Sequence, residues 1–410
     1  MLQVIGVDEA RICLLEHARP IGRVEWVPAA SATGRVLAEP LIAKTNVPAF
    51  DRSTVDGLAV RASDTFGASE SMPAMLELVG AVAMGQAPSF QVHAGACAAV
   101  PTGGALPDGA DAMVMIEYVE DLGDSLRLIH RPISPGDNLI RCGDDFKAGQ
   151  PLIPAGHQIS TADIGTLAAL DIEQVLVCAK PRVALISTGD ELVQSGQPLK
   201  PGQVHDINAP ALAALVQESG GEPVLFGIVA DHPALLDDCL KRALAECDLV
   251  LVSGGSSVGE KDYLRAAIEA QGDPGILFHG LAVKPGKPTL AGAANGRIML
   301  GLPGHPLAAW FLTKLLAAPL IYALQGAAAP VPVTVTAKTN CRIPSNAGRE
   351  SIIPVKLLIE DISPLTYRAE PVFAKSGLIS VLSQSDGFVR IEREREGLEA
   401  GMSVTVYRIR

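Results

Sequence analysis

The sequence predicts a multidomain fold in which a parallel α/β domain is joined to β-rich domains, and three observations carry that expectation. The chain has 410 residues, and one hydrophobic core stops growing near roughly 250–300 residues, so more than one core is required. From Pro181 to Gly326 apolar runs alternate with helical stretches, the signature of a parallel sheet covered by helices. On either side the pattern is short runs punctuated by turn residues, for which the chain supplies 40 Gly and 30 Pro.

Taken in order, helical spacing at Ile12, Leu14, Leu15 and His17 predicts a helix from Val7 to about Ala18, followed by extended, proline-punctuated sequence to Pro48. The runs Met75–Val79, Ala98–Val100, Ala112–Ile116 and Leu126–Ile129 predict the strands of a small β domain. Turns at Pro132, Pro135 and Gly136 come next. Ser160-Thr161-Ala162-Asp163, placed before the apolar run from Ile164 to Leu170, is a helix start of the capping-box kind. A β domain over residues 48–131 is thus expected to interrupt a discontinuous linking domain, residues 1–47 plus 132–176.

The α/β region, residues 177–327, contains the runs Arg182–Ile186, Pro223–Val229, Asp248–Val252 and Arg297–Leu300, with helices over Ala209–Glu218 and Pro233–Glu246. Each run ends in a polar or glycine-rich turn: Ser187-Thr188-Gly189-Asp190-Glu191, Ala230-Asp231, Ser253-Gly254-Gly255-Ser256-Ser257 and Gly301-Leu302-Pro303-Gly304. Open α/β sheets bind ligands outside the carboxyl ends of their strands, so these four turns predict a crevice. The apolar stretch Ala308 to Leu324 is interrupted by Thr313, Lys314 and Pro319, which a buried core helix tolerates better than a bilayer does. After the stiff linker Ala327 to Pro332, alternation in Val333-Thr334-Val335-Thr336 and in Ser403-Val404-Thr405-Val406-Tyr407 predicts a C-terminal β barrel or sandwich, residues 328–410.

Composition removes several functional classes. A net charge of −12 gives no global attraction to nucleic acid or an anionic membrane, so an anionic substrate has to be held by local donors. Sixteen aromatics leave little capacity for stacking single-stranded bases. The seven cysteines are scattered, odd in number and without a C-x-x-C pair, as expected for buried thiols in a reducing cytosol. Met1 to Pro20 carries Asp8, Glu9 and Glu16 and lacks a basic start, unlike a secretory signal, so a cytoplasmic location is expected. The eight histidines show no H-x-x-x-H spacing from which a zinc site could be argued.

The chemistry sits in turns. In Ser253-Gly254-Gly255-Ser256-Ser257-Val258-Gly259, glycines between a strand and a helix let backbone N–H groups approach an anion; a simple tight turn explains this segment equally well. Lys284-Pro285-Gly286-Lys287-Pro288 sets two ammonium groups on a proline-stiffened backbone, able to address one multiply charged oxyanion, although an exposed lysine turn has the same form. Asp56, Asp144, Asp145, Asp190, Glu191, Asp231 and Asp262 stand at turns, where most acids are merely solvated. If several face a phosphate-type loop, their repulsion requires a divalent cation, and oxygen ligands favour Mg²⁺. Thr102-Gly103-Gly104 offers a hydroxyl and close backbone approach, or simply a β-domain turn. Without a Gly-x-Ser-x-Gly elbow or a suitably spaced Cys/His pair, transfer at a metal–phosphate centre is the chemical class that remains.

Seven motifs in one order resemble the molybdopterin molybdenumtransferase family of the MoeA type, whose eukaryotic relatives include the E domain of gephyrin. They are Phe50-Asp51-Arg52-Ser53-Thr54-Val55-Asp56-Gly57; Pro101-Thr102-Gly103 with Pro107-Asp108-Gly109-Ala110-Asp111; Gly143-Asp144-Asp145; Ser187 to Leu192; Ser253 to Gly259 with Asp262-Tyr263; Lys284 to Pro288; and Gly301 to Pro306. The resemblance implies an elongated four-part subunit with a molybdopterin-binding-like α/β domain and a C-terminal β barrel. It also implies a homodimer whose cleft uses both chains, and handover contacts with other cofactor-synthesis proteins. The implied reaction joins molybdate to adenylylated molybdopterin, with Mg²⁺, and releases AMP.

By the same resemblance, Lys284, Lys287, Arg349 and Ser376 hold molybdate, with Pro303 and Pro306 shaping that wall. Asp231, Glu191 and Asp262 surround nucleotide, metal and pterin, Glu191 and Asp231 being the Mg²⁺ ligands. Gly254, Gly255 and Ser256 take phosphate, while Asp56, Thr102 and Asp145 form an opposing wall offered to the neighbouring subunit. Three positions depart from the family pattern: His305 where many relatives have Asn, Ala308 where many have Ser, and His232 where a second Asp is frequent. A tungstate-using member and a non-catalytic scaffold of the gephyrin kind are the alternatives.

Overall fold

The computed structural model describes residues 4–254, 263–373 and 377–409. The helix Val7–His17 starts at Gly6, whose N–H donates to the Glu9 carboxylate at 3.3 Å, and Asp8 and Glu9 in the first turn suit the positive helix end. Its buried face is Val7, Ala10 and Leu14, while Ile12 and Leu15 are exposed. That face joins a core with Leu185, Leu251 and Leu300, so this helix packs on the α/β sheet, although the sequence reading groups it with the linking segment. The reason is a backbone zipper: Ala282 donates to the Ile5 carbonyl at 2.8 Å, and Ile5 donates back to Gly280 at 3.3 Å.

Beyond Gly22 the chain forms Val24–Pro28, which pairs antiparallel with Gln174–Cys178, and Leu41–Ile42, which pairs with Pro151–Ile153. Segments from both sides of the intervening β domain thereby share one core containing Leu37, Ile159, Leu167 and Val177. The helix Thr161–Ala169 has a closed capping box: Asp163 N–H donates to Ser160 Oγ at 3.3 Å, and Ser160 N–H donates to Asp163 at 2.7 Å. Between these segments lies a six-stranded sheet in the order Ala112–Met115, Gly57–Val60, Ala96–Val100, Ala74–Ala81, Leu126–Ile129, Val119–Asp121.

The α/β sheet runs in the order Glu222–Val229, Arg182–Thr188, Leu249–Ser253, Arg297–Leu302, Leu290–Ala294, Pro274–His279. The first four strands are parallel, and successive residues serve opposite faces: Leu185 enters one core and Ile186 the other. Leu290–Ala294 runs antiparallel to both its neighbours, which a purely parallel expectation does not include. The run Pro306–Leu324 is apolar and long enough to cross a membrane, but it is 72% buried and packs into the core as helix, π turn and helix.

C-terminal strands close a five-stranded barrel: Glu350–Ile362, Leu365–Pro371, Thr334–Thr339, Ser403–Arg408 and Gly387–Ile391, the last pairing again with the first. Phe388 of the barrel meets Phe311 of the α/β core edge to face, with ring centroids 5.0 Å apart. The two-residue strand Val283–Lys284 leaves the α/β hairpin to pair parallel with Glu350 and Ser351. This ladder aligns the lysine turn with the barrel.

Candidate functional site

Two adjoining cavities lie where the α/β domain meets the barrel. The first, about 870 Å³, is lined by Lys284, Lys287, Arg349, Ser351, Pro303 and Ala308, among others. Its lining includes no carboxylate among the described residues. The Lys284–Pro288 turn is held by Gly286, whose φ of +127° suits glycine and whose absent Cβ leaves room for Leu312, and by Thr289 Oγ1 donating to the Gly286 carbonyl at 2.7 Å. With the backbone so fixed, Lys284 and Lys287 remain exposed. Among the described residues neither lysine nor Arg349 has an ion-pair partner. Three uncompensated cations in one cavity suit a small, multiply charged oxyanion.

The second cavity, about 620 Å³, sits on the carboxyl ends of the parallel strands and is lined by Thr188, Glu191, Asn208, Asp231, Ser253 and Gly254, among others. Lys287, Pro288, Pro303 and His305 line both cavities, so the cationic and acidic walls share a border. Gly254 has φ +98°, and a Cβ there would strike the Thr188 carbonyl oxygen; only glycine brings these two strand ends so close. Thr188 Oγ1 is buried and has no hydrogen-bond partner among the described residues. Asp231 N–H donates to Asp190 at 3.1 Å, which draws the ends of two neighbouring strands together.

Asn208 contributes to this site, yet no motif in the sequence singled it out. Its Nδ2 donates to Ser253 Oγ at 2.7 Å and to the Gly304 carbonyl at 2.9 Å, stapling two strand-end loops. Asp206 fixes it by accepting the N–H groups of Asn208 and Ala209, both at 3.1 Å, at the start of the helix Asn208–Glu218. An Asp two residues ahead of a helix-opening Asn was the only signal, and it reads as an ordinary cap.

The remaining candidates fall in three groups. Pro306 occupies the first position of the helix Pro306–Leu312 and lines neither cavity. Asp56 and Thr102 of the β domain and Asp145 of the returning linking segment are exposed and line neither cavity. There Thr102 N–H donates to Asp56 at 2.7 Å, and Asp51 holds Arg141 at 3.0 Å and Cys142 N–H at 2.8 Å. Three sequence-distant motifs are thus knitted into one patch. Gly255, Ser256, Asp262 and Ser376 lie outside the described residues.

Comparison with known proteins agrees along the whole chain. Residues 5–170 match the family model for the MoeA N-terminal region (domain I and II), 184–323 that for a probable molybdopterin binding domain, and 336–409 that for the MoeA C-terminal region (domain IV). A molybdopterin molybdenumtransferase of Nostoc sp. is 35% identical over 92% of this chain and 87% of its own length. That of Bacillus subtilis is 32% identical over 99% and 94%. The crystal structure of a molybdopterin biosynthesis MoeA protein from Pyrococcus horikoshii superposes with a TM-score of 0.86 at 31% identity, covering 99% of this chain and 100% of that one. With its β, α/β and barrel domains matched in order, the chain belongs to the MoeA family of molybdopterin molybdenumtransferases, transferases of molybdenum cofactor biosynthesis.

Proposed function

We propose that the chain binds molybdate in the cationic cavity and the nucleotide end of adenylylated molybdopterin in the acidic one, and transfers molybdenum to the pterin with release of AMP. The observation that carries this reading is the shared border: Lys287 and His305 face both cavities, so an oxyanion and a pyrophosphate bound side by side would be bridged by the same side chains. Lys284, Lys287 and Arg349 offset the oxyanion's charge and orient it. The dithiolene sulfurs that take the metal belong to the substrate, so no protein thiolate is needed.

Mg²⁺ fits the acidic cavity. No group of three His, Cys, Asp or Glu capable of caging a metal occurs among the described residues, but Mg²⁺ at a phosphate site is commonly held by one or two carboxylates with substrate oxygens completing the shell. Glu191 and Asp231, both on this cavity, are the residues that would hold it. When bound, it neutralises charge on the pyrophosphate. The exposed patch of Asp56, Thr102 and Asp145 lines neither cavity of its own chain, and a homodimer in which one protomer's patch closes its partner's crevice would give it a role. We place the reaction in the cytoplasm, where its thiols stay reduced.

Measuring AMP release from adenylylated molybdopterin with and without molybdate tests the reading. Release that saturates with molybdate is the expected result; release indifferent to molybdate, or none, overturns it.

A further inference from the structure

The cationic cavity is larger than one tetrahedral anion needs. At about 870 Å³ it falls in the range, roughly 300–1,000 Å³, that houses a whole organic ligand. Beyond its cations the lining is largely apolar and includes Leu307, Ile352, Pro354, Val372 and Phe373. Leu307 and Ile352 are buried, whereas Phe373 is 60% exposed and so stands at the mouth. Among the described residues, Phe373 is the one Phe, Tyr or Trp that lines either cavity. An aromatic face left open in this way is a platform on which a flat ring can stack.

The barrel strand Glu350–Ile362 sets the spacing across this cavity. One of its edges is taken by Gly387–Ile391. Along the other, Lys284 pairs beside Ser351, and further on the Val372 N–H donates to the Pro354 carbonyl at 2.8 Å. Ser351 to Pro354 is three residues, or about 10 Å at ~3.3 Å per residue, so the chain leading into Phe373 starts well beyond the lysine. Lys287 marks the border with the acidic cavity, whereas Phe373 and Val372 line the cationic cavity alone. The groove therefore offers an aromatic wall, then cations, then the acidic strand ends.

Adenylylated molybdopterin carries its dithiolene and its phosphate arm at one end of a fused ring system, and the pterin ring points away from both. With the pyrophosphate at the Lys287 border, the dithiolene comes among the cations and the pterin ring extends along the strand toward Phe373. The reverse orientation fails, because ribose and two phosphates separate the adenine from the dithiolene, and an oxyanion held beside adenine would meet no sulfur. We propose that the cationic cavity is also the pterin subsite: the ring stacks on Phe373 at the mouth, over the apolar floor of Leu307 and Ile352, and so brings the dithiolene to the bound molybdate. The inference rests on the reading of the two cavities given above. Stacking grips the face of the ring, so its polar edge stays in water at the mouth.

The test uses the full chain and two competitors of the AMP-releasing reaction, AMP itself and molybdopterin without its nucleotide. F373A is expected to weaken inhibition by molybdopterin about tenfold, the effect of one lost stacking contact, and to leave inhibition by AMP and half-saturating molybdate within about twofold. F373W restores inhibition by molybdopterin, and F373L, which keeps apolar area but no flat face, falls between. Because the ring is exposed, the melting temperature of F373A barely changes; should F373A not fold, F373L decides with the same two competitors. Unchanged inhibition by molybdopterin overturns the proposal. So does a loss confined to AMP, which would put the nucleotide on this wall, and so does an equal loss toward both competitors. A drop in oligomeric mass of F373A overturns it as well, by making the ring a contact between protein chains. The unaltered protein tests the reading beneath separately. If its AMP release ignores molybdate, the cavity assignments and the pterin subsite fall together; if release saturates with molybdate and F373A responds to molybdopterin normally, only the pterin subsite fails.

Discussion

Arg23 and Asp248 form a two-pronged ion pair, Nη1 to Oδ1 at 3.0 Å and Nη2 to Oδ2 at 2.6 Å, that ties the linking domain to the start of a central α/β strand. Asp248 also accepts the Arg182 N–H at 2.8 Å, so the carboxylate is saturated with donors although it is only 8% exposed. Burial by itself pushes this carboxyl up, but the bonds from Arg23 and Arg182 and the charges of Arg23 and Arg297 outweigh it and hold the group below its ordinary value. The folded pKa is thus depressed relative to the unfolded one, near ~3.9. The stabilisation is present above that pH and is lost as the pH falls through the lower folded value. D248N should cost about 1–2 kcal/mol at pH 7, the figure being reduced because half of Arg23 is open to solvent. Thermal melts from pH 7 to pH 3 check this: the gap between D248N and the unaltered protein should close below about pH 4, and a gap of constant size would remove charge from the explanation.

Lys287 faces both cavities, whereas Lys284 and Arg349 face only the cationic one. Each of K284A and R349A should therefore raise half-saturating molybdate alone, by about tenfold, while K287A raises the half-saturating concentrations of molybdate and adenylylated molybdopterin together. The melting temperature of K287A should barely change, since the turn is set by Gly286 and Thr289 and the Lys287 side chain is exposed. Kinetics of K287A indistinguishable from the unaltered protein would take that side chain out of the site.

Gly254 to Ala combines two penalties. The backbone at φ +98° disfavours any L side chain, and the new methyl collides with the Thr188 carbonyl, a backbone atom that cannot rotate away. Relief requires the ends of Arg182–Thr188 and Leu249–Ser253 to move apart, and that same movement widens the floor of the acidic cavity. A loss of about 2–3 kcal/mol in urea unfolding is expected, with pterin binding weakened more than molybdate binding. Equal weakening of both would point to general destabilisation instead.

The parallel part of the α/β sheet was legible because its runs are apolar, β-branched and ended by turn residues; Arg182–Thr188 and Leu249–Ser253 are buried almost throughout. Its antiparallel hairpin was not. Leu290–Ala294 reads Leu-Ala-Gly-Ala-Ala, with little intrinsic strand preference, and is a strand because both faces are covered by neighbours. The lysine turn between these strands could be recognised as a cation pair, but its partner Arg349 is brought in by a ladder between residues 67 positions apart, and nothing local encodes that pairing. The first helix was recognisable by period but its buried face was not, because Ile12 and Leu15, which are exposed, are as apolar as the residues that actually pack. Asn208 escaped notice for a different reason: its work is to join two loops that meet only in the fold.

Ala308 offers a test of how the oxyanion is held. It lies in the first turn of Pro306–Leu312, is buried, and lines the cationic cavity. A serine hydroxyl placed there has two uses, donating to the bound anion or bonding back to the carbonyl four residues earlier, that of Gly304. Gly304 already accepts a bond from Asn208 at 2.9 Å, which favours the first use. One added hydrogen bond is worth about 0.5–1.5 kcal/mol, so A308S should lower half-saturating molybdate by about threefold to tenfold. Tungstate, with the same shape and charge, should gain equally. A308S that leaves both anions unaffected would show that this wall does not touch the oxyanion, and a gain confined to one of them would mean that the cavity discriminates by something other than shape and charge.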